Sequence, residues 1–160
     1  MKRPPTRGVM DTALNLLSRR DHSQEQLKRK LLTRGYEPEE ISAALTKLAE
    51  MAYLDDLRFA RALVRERLTR RGAGLADARK RLKLAGVSEA IAQTALVEAA
   101  GETDESELCR NTARKKTREL ERAGRFTPER LARYLQSKGF PAELIYDVLR
   151  ELRHDTNEVE

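Results

Sequence analysis

Tryptophan is absent from this chain, cysteine occurs once, and aromatic residues number only seven, four Tyr and three Phe. β-branched and aromatic residues, on which strands rely, are too scarce for a sizeable sheet. The lone Cys109 permits no internal disulfide, which fits a reducing cytoplasm. Apolar runs are short: the longest is four residues, Met51 to Leu54. A membrane span needs roughly 20 such residues, so none is expected. The N-terminal MKRPPTRGVM is basic but has no apolar stretch of the secretory kind.

What fills the chain is helix-forming residues. Ala, Leu, Glu, Lys and Arg account for 93 of the 160 positions, a composition that signals an all-α fold. Charged residues reach 36% and the net charge is +6, an excess that favours phosphate backbones or acidic protein surfaces as partners. Arginine outnumbers lysine 23 to 9, and its planar fork can hold phosphate or carboxylate bidentately.

Three segments end alike: Leu31-Leu-Thr-Arg-Gly35-Tyr36, Leu82-Lys-Leu-Ala-Gly86-Val87 and Leu135-Gln-Ser-Lys-Gly139-Phe140. Each sets a Leu four residues before a Gly, with a large apolar residue after it. That is the spacing of a Schellman stop, with the glycine in the left-handed conformation at C′. Around these stops the apolar positions repeat: Leu27, Leu31, Ile41, Leu45 and Leu48 correspond to Leu131, Leu135, Ile145, Leu149 and Leu152. Three units are expected, at 9–53, 54–101 and 102–153, each of three helices. Stacked in tandem, they would form a curved, elongated helical array.

The helix boundaries are written in caps. Ser23 opens a helix with Gln26 as its capping-box partner, and Pro38 fits the first position of the next. Asp55 reads as an N-cap with Leu54 as its staple residue, Gly72 and Gly74 break the chain, and Ser88 opens the third helix of the middle unit. Asp104 with Glu107 forms a further capping box, and Thr127-Pro128 and Pro141 start the last two helices. Residues 1–8 and 153–160 are expected to fray.

No catalytic, metal or cofactor site is expected. His22 and His154 have no second His or Cys at metal spacing, and Cys109 shares a helix face with Ala113, as a small core thiol would. No Gly-Lys-Ser/Thr element follows Gly72 and Gly74, and the adjacent Asp55 and Asp56 suit a helix start better than acid–base work. The basic residues are better organised. Arg58, Arg61, Arg65, Arg67, Arg70, Arg71, Arg79, Lys80, Arg81 and Lys83 face only Glu66 and Asp77 as acids in that stretch. Arg58, Arg61 and Arg65 share one helix face, opposite Phe59, Leu63 and Val64. A second patch joins Arg110, Arg114, Arg118 and Arg122, each four residues on, with Lys115 and Lys116 beside them. There Glu107, Glu119 and Glu121 can pair, so the middle face is expected to carry more of any binding than Arg114 and Arg118.

Two stretches together resemble the signature of the RecX regulatory proteins: Arg20-Asp21-His22-Ser23 with Gln26-Leu27-x-x-Lys30-Leu31, and Tyr53-Leu54-Asp55-Asp56-x-Arg58-Phe59. The likeness spans roughly residues 10–152. It departs from the usual pattern at Ala52, where a glycine often stands, and at Ala78, where a larger aliphatic is usual. The resemblance implies three tandem three-helix repeats and a cytoplasmic, monomeric modulator of the RecA recombinase. Such a protein binds RecA along its filament on DNA and inhibits its recombination, ATPase and coprotease activities. It implies no catalytic residues. The competing reading from charge alone is a helical module that binds single- or double-stranded DNA without sequence preference.

Overall fold

The computed structural model describes residues 6–157, with side chains as far as Arg153. Among the described residues there are nine α-helices and no strand: α1 (Val9–Arg19), α2 (Gln24–Thr33), α3 (Pro38–Glu50), α4 (Asp56–Arg65), α5 (Leu75–Leu84), α6 (Glu89–Glu102), α7 (Glu105–Arg122), α8 (Pro128–Ser137) and α9 (Ala142–Asn157). The final helix continues to Asn157, past the fray expected from 153; residues 1–5 and 158–160 lie outside the described residues. By internal contacts the chain forms two compact units. One takes the residues up to Ala62 with Leu82–Ala95, the other Leu63–Arg81 with Leu96 onward.

In the first unit, α1, α2 and α3 close around Ala13, Leu16, Leu27, Leu31, Ile41 and Leu48, joined by Tyr36 and Leu54. These are the positions that the 3.6-residue period places on one side of each helix. The core of the second unit holds Cys109, Ala113, Leu131, Leu135, Ile145 and Val148 from α7, α8 and α9, with Phe140 from the turn between the last two. Ala78, on α5, is fully buried as well.

The threefold helix stop has the hydrogen bonds of a Schellman motif. The amides of Tyr36, Val87 and Phe140 donate to the carbonyls of Leu31, Leu82 and Leu135 at 3.4, 3.1 and 3.3 Å, and the glycine between them has φ of +91°, +73° and +80°. The same motif ends α3, where the amide of Tyr53 donates to Leu48 at 2.9 Å and that of Ala52 to Ala49 at 3.0 Å. Here the left-handed residue is Ala52, with φ +59°. Its Cβ is strained in that conformation. Ala52→Gly is therefore expected to stabilise the protein by about 0.5–1 kcal/mol, the left-handed penalty less the extra chain entropy of glycine. A raised thermal midpoint checks this.

One element is not foreshadowed by periodicity. Past Arg65 the helix widens into a π turn, Glu66–Arg70. The Arg71 amide reaches Glu66 at 3.2 Å, and that of Ala73 reaches Arg67 at 3.0 Å. Val64, Leu68 and Ala73 are all buried, at spacings of four and then five, and the wider turn lets all three face inward.

Candidate interaction surface

In the first unit the polar motif residues hold helix ends. Ser23 accepts from the Gln26 amide at 3.0 Å, while the Gln26 side chain accepts from the Ser23 amide at 3.4 Å, the capping box expected from sequence. The Ser23 hydroxyl also donates to the Ala85 carbonyl. Asp55 accepts from the Arg58 amide at 3.0 Å, as an N-cap, and Asp56 accepts from the Gln24 amide at 2.8 Å. The two neighbouring carboxylates thus serve the positive ends of two different helices. His22 is 3% exposed, with Nδ1 2.9 Å from the Arg20 carbonyl, and its Nε2 is buried without a partner. Burial first, and the neighbouring Arg20 charge second, hold its pKa below the usual 6.5.

The basic residues divide into those tied into the fold and those presented outward. Arg58 donates to the carbonyls of Ala52 and Tyr53 at 3.2 and 3.3 Å, bracing the turn after α3. Arg61 and Lys83 are exposed on α4 and α5. In the second unit Arg67 turns inward and its Nε meets Asp77 at 2.7 Å, with both side chains largely buried. Arg81 approaches the same carboxylate at 3.8 Å. Arg71 pairs with Glu66 at 3.1 Å, five residues apart, as the π turn brings them to one side. By the same spacing Arg70 follows Arg65. Arg65, Arg70 and Lys80 are exposed and make no ion pair among the described residues; Arg79 is exposed beside them.

Of the three acids expected to pair on α7, one does so among the described residues. Glu119 is taken by Lys116 at 2.6 Å, and Lys116 lies 4.8 Å from the centre of the Tyr134 ring. Arg110 is anchored to Ser106 at 2.8 Å and to Glu151 at 3.4 Å. Arg114, Lys115, Arg118 and Arg122 are exposed and without ion pairs among the described residues. Asp104 accepts from the Ser106 and Glu107 amides at 2.9 and 3.1 Å, but Glu107 makes no return bond, so this start of α7 is a simple cap and not a capping box. Cys109 is fully buried, and burial, reinforced by Glu105, pushes its thiol up to about 11. Such a thiol stays protonated and unreactive at neutral pH. No group of His, Cys, Asp and Glu that could hold a metal ion occurs among the described residues, and no described helix is long and apolar enough to cross a membrane.

Comparison with known families decides the relationship. The first, second and third three-helix domains of RecX match residues 10–48, 55–96 and 102–149, in that order. This chain belongs to the RecX family. A Regulatory protein RecX from Vibrio vulnificus is 36% identical over 142 residues, 89% of this chain and 91% of that protein. One from Pelodictyon phaeoclathratiforme is 37% identical over 148 residues, 91% of this chain and 89% of that one. The crystal structure of RecX from Lactobacillus salivarius superposes with a TM-score of 0.73 at 23% identity, covering 91% of this chain and 94% of that one, a likeness of fold.

Within the RecX pattern, the polar motif residues act as caps and buried supports. Asp55→Ala is expected to cost about 1 kcal/mol of stability and Asp55→Asn to be nearly silent, since either oxygen-bearing side chain can accept from Arg58. Chemical denaturation of the two variants checks the pair. His22 gives a pH signature. Its pKa is lower folded than unfolded, so below about pH 6.5 the unfolded chain takes up the proton first. The stability this contributes is complete above that pH, declines as pH falls through the histidine range, and levels off once folded His22 is protonated too. A His22→Gln variant should therefore lose less stability than the wild type between about pH 7.5 and about pH 5.5. Urea midpoints at the two pH values measure it.

Proposed function

We propose that this chain is a cytoplasmic, monomeric regulator that binds the RecA recombinase and its filament on DNA, and that it inhibits RecA recombination, ATPase and coprotease activity. The observation that carries the reading is the ordered match of all three RecX domains along one chain, together with cations left for a ligand. Arg65, Arg70, Lys80, Arg114 and Arg118 are exposed and spend no charge on ion pairs among the described residues. A filament repeats the same protein and phosphate surfaces at short intervals, and several weak contacts on one ligand add up through effective concentration. Arg58 and Arg67 contribute through folding, because their guanidinium groups are already engaged.

A second reading is sequence-independent binding to naked DNA. The row Arg114, Arg118 and Arg122 favours it, since cations at one-turn intervals on a helix can follow phosphates. RecA ATPase on single-stranded DNA, with and without this protein, tests the first reading. Inhibition that persists at salt concentrations where naked DNA is no longer bound supports RecA regulation. Inhibition that disappears together with DNA binding supports the second reading, and an unchanged ATPase overturns the first.

A further inference from the structure

The first unit carries a polar cleft of about 330 Å3 where α1 meets the turn between α2 and α3. Leu16 and Tyr36, both buried, form its floor. The Tyr36 hydroxyl donates to the Arg7 carbonyl at 2.7 Å, and the Thr12 hydroxyl lies 2.6 Å from the same oxygen. With the tyrosine proton spent on that carbonyl, Thr12 is the donor of the second bond. The pair holds the chain at Arg7 beside α1. The rim is left for a ligand: the guanidinium groups of Arg7 and Arg34, the Asn15 amide and the Thr6 hydroxyl, on four exposed residues.

No acid lines this cleft; Asp11 and Glu37, the acids nearest to the two arginines in sequence, are not part of it. Neither arginine makes an ion pair among the described residues, and Arg34 donates only to the Lys30 carbonyl, at 3.3 Å. The excess of positive charge is felt one turn back along α2. There burial first, and the charges of Arg20 and Arg34 after it, hold the Lys30 ammonium below the ordinary lysine range. A donor-rich, acid-free cleft selects an anion, and its size and donors narrow the class. Its volume is near the lower end of the roughly 300–1,000 Å3 of sites that enclose a small ligand. A carboxylate brings one charge and two oxygens in a plane, which a single arginine fork answers. A phosphate monoester brings about two charges and three terminal oxygens, which suit two forks from separate segments together with neutral donors. We infer that this cleft binds the phosphate monoester group, carried either by a free small molecule or by the end of a nucleic-acid strand. It shares no residue with the basic rows described above, and the inference does not rest on the reading of the chain as a RecA regulator.

The probes are ribose 5-phosphate, acetate, and hexathymidylate with and without a 5′-phosphate, each titrated at constant ionic strength into the full-length 15N-labelled protein. Ribose 5-phosphate should give saturable shifts at the Arg7, Asn15 and Arg34 amides, with a dissociation constant of about 1 mM or tighter. Acetate should give none. Arg34→Gln should weaken the binding about tenfold with the melting midpoint nearly unchanged, because the guanidinium is exposed and leaves a single long backbone bond behind. Tighter binding of the phosphorylated strand than of ribose 5-phosphate assigns the group to a strand end, and the reverse order assigns it to a free small molecule. Three results overturn the inference: acetate or the unphosphorylated strand matching its phosphorylated counterpart at these amides, full affinity in Arg34→Gln, or binding weaker than the millimolar range, which is an adventitious ion only. Because no RecA is present, failure of RecA regulation and failure of the cleft are separate results.

Discussion

Gly139→Ala is expected to lower stability by about 3 kcal/mol, and Gly35→Ala by only about 1 kcal/mol, although both glycines end a helix in the same motif. Both have left-handed backbones, φ +80° and +91°, so both substitutions carry the conformational penalty. They differ in what lies beyond the missing side chain. A Cβ on Gly35 would meet nothing within 4 Å. On Gly139 it would stand 2.5 Å from the Asp77 amide nitrogen, 2.8 Å from the Asp77 Cβ and 3.1 Å from its Cα. Backbone cannot swing aside as the tip of a side chain can. The same close approach is held by the Gly74 amide, which donates to the Lys138 carbonyl at 2.8 Å. Urea midpoints for the two variants decide the matter; equal losses would show that conformation alone, and not the packing at Asp77, sets the requirement.

Reversing Arg65 and Arg70 to Glu is expected to weaken binding to RecA–DNA filaments at least tenfold, about 1.4 kcal/mol, with the helical signal and melting midpoint nearly unchanged. Neither side chain has an ion pair to lose, and exposed substitutions away from such features usually change stability by about 0.5 kcal/mol or less. The salt dependence of binding should flatten as well, since fewer counterions are released when fewer phosphates are neutralised. The Arg114 and Arg118 reversal is expected to match it. Sequence spacing suggested a smaller effect there because Glu107, Glu119 and Glu121 could pair nearby, but Glu119 is held by Lys116, and Glu107 and Glu121 make no ion pair among the described residues. Filament binding by anisotropy at two salt concentrations measures both. Wild-type affinity in the Arg65/Arg70 variant would exclude the π-turn side of the molecule as a contact.

The helix stops were legible because they rest on local chemistry. A Leu, a Gly and an apolar residue at fixed spacing specify their own hydrogen bonds, and all three glycines are left-handed as expected. Ser23, Asp55 and Thr127 were legible for the same reason: a cap acts within three residues of itself. What the sequence concealed depends on residues far apart in the chain. Arg67 looked like one of a run of surface cations, and only the placement of Asp77 turns it inward. The π turn is hidden for a local reason: spacings of four and then five between buried residues look like noise in a single period. The loss of Glu119 to Lys116 was open to sequence, since an i,i+3 pair is local, but several local pairings competed there.

The tie from Ser23 to Ala85, and that from Asp56 to the Gln24 amide, limits where this chain can be divided. A protein engineer cutting after Tyr53, where the sequence pattern places the end of the first repeat, would remove the carboxylate that serves the start of α2 and the carbonyl that receives its capping hydroxyl. The fragment would keep its Leu27, Leu31, Ile41 and Leu48 interior but lose the partners supplied from Leu82–Ala95, which belong to the same compact unit. The helix triplet is thus the period in which the sequence is written, while the smallest piece that can be transplanted intact is larger and discontinuous. Grafting this first unit onto another scaffold would require carrying the α5–α6 turn along with it.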